Sequence, residues 1–362
     1  MSTQYKKILF LNANLQSGGA ERQMVTVARL LKQRGHNVSF YCYDKGDFYE
    51  HLLAECDIPV VWEYTFPNLI KRIFRMRRYI RRGGYDAVIS FLQPVNVLNV
   101  FAALGGKKWK VITGLRYCPA ERVKTAKEKN YLRIQGFSDA IVSNSELAKK
   151  RWMINTIRKE DKIKVIYNHV IISNLHSEYH PKQDGRLHLV VAASYQYLKN
   201  PLGLVEALKL MTHDERKKII IDWYGSKNAS NAYQDTLEGI NSFSLADTIR
   251  LHEASKDIND IMLRSDAVML LSKEEGLPNA ICEGMMLGKP IIMTRVSDYD
   301  VLVDESNGML CDWDNPQSIK EAILSMANLP VEKLIVMGKN SKAKAEHLFS
   351  SDTIARQWEE LL

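Results

Sequence analysis

Residues 272–294 read SKEEGLPNAICEGMMLGKPIIMT, and this stretch decides the fold. Two carboxylates, Glu275 and Glu283, stand eight positions apart. The first falls where a predicted strand, 266–272, gives way to a loop. The second falls on the predicted helix that follows, about 279–287, and a further strand is predicted at 290–293. In an open α/β sheet, ligands bind outside the carboxyl ends of the strands. Both acids are therefore expected at the ligand end of a sheet. Between them, Gly276, Leu277, Pro278, Asn279 and Ala280 supply free backbone amides at a helix N-terminus, a favourable place for an anion. Carboxylates suit sugar hydroxyls, and amides at a helix N-terminus suit phosphate. One loop thus offers what a nucleotide-sugar needs.

Strand and helix alternate on either side of this stretch. Strands are predicted at 8–12, 38–43, 60–62, 87–91, 111–113, 140–143 and 163–167, with helices between them. The first helix, 20–33, carries Met24, Val27, Ala28 and Leu31 at helical spacing. A polar segment, 173–186, with Pro181, Gly185 and two histidines, reads as a linker. Alternation restarts at 187–193, with strands at 219–223, 249–251 and 268–271 before the one at 290–293. Helices at about 318–327, 331–347 and 352–362 close the chain. Such alternation implies parallel sheets with right-handed crossovers. The expected fold class is α/β, with two Rossmann-like doubly wound domains, 1–172 and 187–345, facing across a cleft.

Composition agrees. The chain has 362 residues, 46% hydrophobic and 25% charged, as ordinary globular proteins do. No apolar run approaches the ~20 residues of a membrane-spanning helix. The opening MSTQYKKILFLNAN reads as a first strand rather than a signal peptide, which gives a cytoplasmic expectation. Five scattered cysteines, Cys42, Cys56, Cys118, Cys282 and Cys311, fit reduced thiols. His176 and His180 share a helix face if that segment is helical, but no third ligand stands near, so no metal site is expected. The net charge of +8 points to an anionic partner. Residues 71–82, KRIFRMRRYIRR, concentrate it in Lys71, Arg72, Arg75, Arg77, Arg78, Arg81 and Arg82, with Leu69, Ile70, Ile73, Phe74 and Ile80 interleaved at roughly helical spacing. This reads either as a basic amphipathic helix for an anionic membrane surface or as a solvated helix packed on its own domain.

The pattern S-x-x-E-G-x-P-N-x-x-x-E-G-M-x-x-G-x-P resembles the E-x7-E motif of the retaining glycosyltransferases of family 4, similar to enzymes of bacterial surface polysaccharide assembly. The resemblance spans essentially the whole chain and is stronger in its second half. It implies the GT-B fold, with the last segment, 346–362, crossing back to the first domain. It also implies that Glu275 contacts donor-sugar hydroxyls, that Glu283 contacts ribose hydroxyls, and that Lys199 and the 276–280 amides hold the diphosphate. The implied reaction moves a hexose-type sugar from a UDP- or GDP-linked donor to a saccharide acceptor, lipid-linked in the family's manner. Configuration is retained by same-face attack, the donor phosphate taking the acceptor proton. Neither a metal nor another cofactor is implied.

Three further motifs bear on this reading. Ser17-Gly18-Gly19-Ala20-Glu21-Arg22 follows the first strand and opens the first helix; its spacing is not that of a dinucleotide fingerprint. Its likeness to the family's G-G-A-E-R loop implies that Gly18 and Gly19 face the donor diphosphate across the cleft. Residues 194–201, SYQYLKNP, stand where the family has G-R-L-x-x-x-K-N-P. Lys199, Asn200 and Pro201 match, but Ser194 occupies the arginine position. Either Ser194 contributes only a hydrogen bond, or another arginine compensates, or activity is weaker. Arg116, in Gly114-Leu115-Arg116-Tyr117, is the candidate substitute, for donor or acceptor phosphate; a plain surface arginine is the alternative. The basic run Arg122, Lys124, Lys127, Lys129 and Arg133 reads as a solvated face or as an aid to an anionic lipid acceptor. His252 to Asp257 are expected beside the nucleotide base, and Asn307-Gly308 is expected to be a turn.

Other functions stay open at this point. A sugar-nucleotide epimerase or hydrolase fits the same fold. So does a non-catalytic sugar-nucleotide sensor, given Ser194. A basic nucleic-acid-binding protein is disfavoured because no zinc spacing, helix-turn-helix signature or RNP-like motif is present.

Overall fold

The runs of β-branched and aliphatic residues that open each repeat form two all-parallel sheets. A computed structural model describes residues 5–64, 68–117, 119–156, 160–170, 172, 184–227 and 230–362. The chain divides into two units, Met1–His169 with Ser351–Leu362, and Val170–Ser350.

The first unit contains strands β1 (Lys7–Asn12), β2 (Asn37–Cys42), β3 (Val60–Trp62), β4 (Ala87–Ser90), β5 (Lys110–Leu115), β6 (Ala140–Ser143) and β7 (Ile163–Val165). Their order is β3-β2-β1-β4-β5-β6-β7. The second unit contains β8 (Leu187–Ala192), β9 (Ile219–Gly225), β10 (Ile249–Glu253), β11 (Ala267–Leu270), β12 (Ile291–Thr294) and β13 (Gly308–Cys311). Their order is β10-β9-β8-β11-β12-β13. Central strands such as β4 and β11 are buried along their whole length, as parallel strands covered on both faces must be.

The helix Ser351–Glu359 belongs to the first unit. Its Trp358 stacks on Phe91 with ring centroids 5.7 Å apart, and Glu359 receives His36 Nε2 at 3.2 Å. Asp352 accepts from Arg34 at 2.6 Å.

Two polar motif residues of the second unit serve the fold. Lys289, of the Gly-Lys-Pro triplet, is fully buried and donates to Leu263 O at 2.7 Å and Ser265 O at 2.8 Å. It thereby closes the carboxyl end of the helix Ile258–Arg264, where a cation also complements the helix dipole. Burial pulls its ammonium down to about 7. Asn307 makes the expected turn, its Oδ1 accepting from Asp304 N, but Gly308 begins the edge strand β13, which the sequence reading treats only as a turn. Gly308 is required there: a Cβ would stand 2.3 Å from Ile291 O.

Most of the expected linker, 173–183, lies outside the described residues, as do Cys118, His176 and His180.

Candidate active site

In the second unit, β8 and β11 are neighbours although their connections leave in opposite directions. That makes them the topological switch point, where a crevice opens beyond the carboxyl ends of the strands. The loop after β8 runs through a single 3-10 turn, Tyr197–Lys199. Asn200 follows in the left-handed conformation (φ 63°, ψ 40°), a state asparagine tolerates better than most residues, and Pro201 starts the next helix. Asn200 Nδ2 donates to Trp313 O at 2.8 Å, and the missing Cβ of Gly203 leaves room for that amide. In the Lys-Asn-Pro triplet, Asn and Pro therefore shape the turn, and the lysine is the residue it presents.

The loop after β11 meets this turn, with Lys273 N donating to Leu198 O at 2.8 Å. Lys199 Nζ lies 2.5 Å from Glu275 Oε1, which also accepts from Ser272 Oγ at 2.6 Å. The two side chains are 21% and 12% exposed, so the pair is well removed from water. An ion pair this buried adds little net stability, because desolvation offsets the attraction. It lies at the switch point, the place where open α/β sheets bind ligands. Glu283 sits half-buried on the helix Asn279–Met286, whose N-cap, Pro278, has no side-chain acceptor to close the first turn. Gly284 lets this helix lie directly on β11, since a Cβ would stand 2.7 Å from Val268 Cγ2.

Ser194 is half-buried, and its hydroxyl has no hydrogen-bond partner among the described residues. A cation absent from the sequence reading stands nearby. Tyr195 N donates to Ser226 O, which ties the Ser194 loop to the segment carrying Lys227. Lys227 Nζ is 3.3 Å from Glu253 and 4.8 Å over the Tyr233 ring. Its only sequence signal is a lysine just past a strand end. His252 N and O are both engaged by the Tyr195 hydroxyl, and its ring stacks on Tyr224 and bonds Asp222 at 2.7 Å. The main chain at His252 is thus already engaged within the fold.

In the first unit the switch point lies between β1 and β4. The loop after β1 leads into the helix Gly19–Gln33, as expected, but Glu21 of the same motif folds its carboxylate over Gly18. A Cβ at Gly18 would stand 2.1 Å from Glu21 Oε2. An acid thus already covers Gly18, where the sequence reading expects a diphosphate. Gly19 is open, with nothing within 4 Å of a Cβ.

Arg116, just past β5, is not a plain surface arginine. Its guanidinium lies 3.9 Å from the Phe91 ring centroid and 5.9 Å from that of Trp358, and Nη1 donates to Asn168 Oδ1 at 3.3 Å. Nε is buried without a partner, and no carboxylate pairs with this cation among the described residues. Burial pulls its pKa down to about 9.

The basic helix, Leu69–Gly83, is capped by Asn68 Oδ1 and buries Met76 and Ile80. Leu69, Ile70 and Phe74 are 52–68% exposed. Its seven cations do not form one free face. Arg77 donates to Ala102 O and Gly106 O, Arg81 to Gly106 O, and Arg75 pairs with Glu63 at 2.6 Å. Arg72 lies 4.4 Å over the Tyr43 ring. Lys71, Arg78 and Arg82 have no partner among the described residues. No helix among the described residues is long and apolar enough to cross a membrane, and no three of their His, Cys, Asp and Glu side chains are grouped to hold a metal ion.

Comparison with known proteins adds two family matches. Residues 173–344 match "Glycosyl transferases group 1", and residues 17–174 match "Glycosyltransferase Family 4". The chain is 23% identical, over 98% of both chains, to the GalNAc-alpha-(1->4)-GalNAc-alpha-(1->3)-diNAcBac-PP-undecaprenol alpha-1,4-N-acetyl-D-galactosaminyltransferase of Campylobacter jejuni. It is 22% identical to the amylovoran biosynthesis glycosyltransferase AmsD of Erwinia amylovora, over 86% of this chain and 87% of that one. Among solved structures, Anabaena HepE in complex with UDP superposes with a TM-score of 0.81 at 20% identity, covering 98% of each chain.

Proposed function

We propose a retaining hexosyl transfer for this chain, which belongs to glycosyltransferase family 4 and has the GT-B fold. The observation that carries the reading is the Lys199–Glu275 pair at the switch point of the second unit. Lys199 is placed to neutralise a departing diphosphate, together with the 276–280 amides and the uncapped helix N-terminus. Glu275 is placed to hold sugar hydroxyls, and Glu283 those of the ribose. The acceptor attacks the same face that the diphosphate leaves, and the donor phosphate takes its proton. A UDP- or GDP-linked donor and a lipid-linked saccharide acceptor fit this arrangement. HepE has been solved with UDP, and the Campylobacter relative is named for a substrate on PP-undecaprenol. In this reading the leaving group is neutralised by protein cations and amides without a metal, and Lys227 supplies the second cation that Ser194 does not.

The direct test is calorimetric titration with UDP and GDP. Wild type binds one of them, and Glu283→Ala loses at least about tenfold in affinity, as loss of a charged hydrogen-bond acceptor would. Unchanged affinity removes the ribose role.

Gly19 supplies a second test. Its Cβ would meet nothing in the protein. Gly19→Ala is therefore expected to leave thermal stability unchanged or slightly raised. If a donor phosphate approaches this backbone, the same change raises KM for the donor several-fold. Unaltered kinetics would place the donor elsewhere.

We also propose that the helix Leu69–Gly83 rests on an anionic membrane through Lys71, Arg78 and Arg82, with Leu69, Ile70 and Phe74 entering the interface. Flotation with phosphatidylglycerol vesicles should fall when those three cations are replaced by glutamine. It should not fall for Arg77→Gln, whose guanidinium serves the fold.

A further inference from the structure

A second charged feature of the Val170–Ser350 unit lies at the opposite edge of its sheet, where the strands begin. There a cleft of about 460 Å³ is lined by Arg186, His213, Arg216, Lys217, Ser244, Asp247, Thr248 and Arg250. Arg186 immediately precedes β8 and Arg250 stands near the start of β10. The cleft is therefore separated from Lys199 and Glu275 by the length of the strands.

Four permanent cations line this cleft against one carboxylate, Asp247. Of the neighbouring acids, Asp214 pairs with Lys217 and so offsets that one cation, and Asp184 accepts from His188 and from the Arg186 main chain. Arg186 is held rigidly, its Nη2 donating to Ile219 O at 2.8 Å and Asp247 O at 3.1 Å. Its Nε is buried and unpartnered, and Arg216 and Arg250 have no hydrogen-bond or ion-pair partner among the described residues. Three guanidinium groups gathered around a single carboxylate, Asp247, repel one another unless a further anion sits between them. Planar N–H forks match phosphate oxygens in particular, and the volume suits a small ligand.

We propose that this cleft is an accessory binding site for a phosphate-bearing small anion, distinct from the loops at the carboxyl edge of the same sheet. Free phosphate compounds and lipid headgroups share this chemistry, and the test separates them. The full-length protein is titrated calorimetrically with inorganic tripolyphosphate in three forms: wild type, Arg216→Gln/Arg250→Gln and Lys199→Gln. The wild type is expected to show a binding event that the double variant weakens at least about tenfold, from loss of two charge-assisted contacts, and that Lys199→Gln retains. Neither arginine side chain has a hydrogen-bond or ion-pair partner among the described residues, so the double variant should keep the wild-type melting temperature. Binding unchanged in the double variant, or abolished by Lys199→Gln alone, overturns the proposal. So does equal displacement by chloride at matched ionic strength, which would mark a general cation patch. Flotation with phosphatidylglycerol vesicles that falls only in the double variant, with no tripolyphosphate event, would assign the cleft to lipid and overturn the free-anion site.

Discussion

Glu275→Ala is expected to lower kcat by about a thousandfold while leaving affinity for the free nucleoside diphosphate unchanged or raised. The first half of this result rests on the proposed role of the carboxylate at the sugar. Removing one preorganised group aimed at the reacting centre typically costs two to three orders of magnitude in rate, about 3–4 kcal/mol. The second half follows from geometry. Lys199 Nζ sits 2.5 Å from Glu275 Oε1, so the carboxylate engages the cation that the proposed reaction assigns to the diphosphate. A bound diphosphate has to compete with that carboxylate. Deleting it frees Lys199 and removes a negative charge from the loop, and both changes favour an incoming anion. For a pair 21% and 12% exposed the gain is modest, up to about tenfold. Lys199→Ala should behave oppositely, losing nucleotide affinity as well as turnover, since it leaves a shielded carboxylate without its cation. In the double variant the two effects are not additive, because the residues are in contact. Calorimetry with the nucleotide, run beside turnover assays, separates these outcomes. If Glu275→Ala loses nucleotide affinity along with rate, then the carboxylate holds the loop in shape and does not act on the sugar.

The fold was legible because its strands are short apolar runs bounded by glycines and polar turns, a pattern that parallel α/β units enforce. Residues 60–62 and 140–143 were readable as strands to the residue, and the helix 279–287 ends one position earlier in the structure. The strand Gly308–Cys311 was not readable. It has four residues, starts on a glycine that a turn explains equally well, and lies at the sheet edge. At the candidate site, sequence spacing located Lys199 and Glu275 but could not show that they pair, since they are 76 positions apart. Nor could it show which arginines of the helix Leu69–Gly83 are free. Arg77 and Arg81 read as membrane-facing charge, yet their partners are carbonyls of Ala102 and Gly106, and carbonyls leave no trace in side-chain patterns. Lys227 and the covering of Gly18 by Glu21 were missed for the same reason: both depend on where a loop folds back.

Gly284→Val should be the most destabilising single change within the 272–294 stretch, costing about 3 kcal/mol and lowering Tm by roughly 6–12 °C. The glycine follows Glu283 directly, so it invites a chemical reading in which small size admits a ligand. The structure gives a packing one. A Cβ at Gly284 would stand 2.7 Å from Val268 Cγ2 and 2.9 Å from Val268 Cβ, and Val268 is fully buried in β11. Neither partner yields readily: the valine is fixed in χ1 by its branching, and the helix is anchored by its other buried residues, Ile281, Cys282 and Met285. A branched side chain therefore lifts the helix from the sheet, carrying Glu283 with it. Gly284→Ala is the finer probe. It gains about 1 kcal/mol of helix propensity and loses more than that to the overlap. Val268→Ala vacates the contested space. On its own it is destabilising, because it deletes buried methyl groups. Combined with Gly284→Ala it should cost less than the sum of the two single changes, with a coupling of about 1–2 kcal/mol in the compensating direction. Thermal melts of the four chains complete the cycle. Additive losses would mean that the clash is relieved elsewhere. A Gly284→Ala chain that keeps its Tm but loses nucleotide affinity would return the glycine to the ligand, because only an occupied site would then feel the added methyl group.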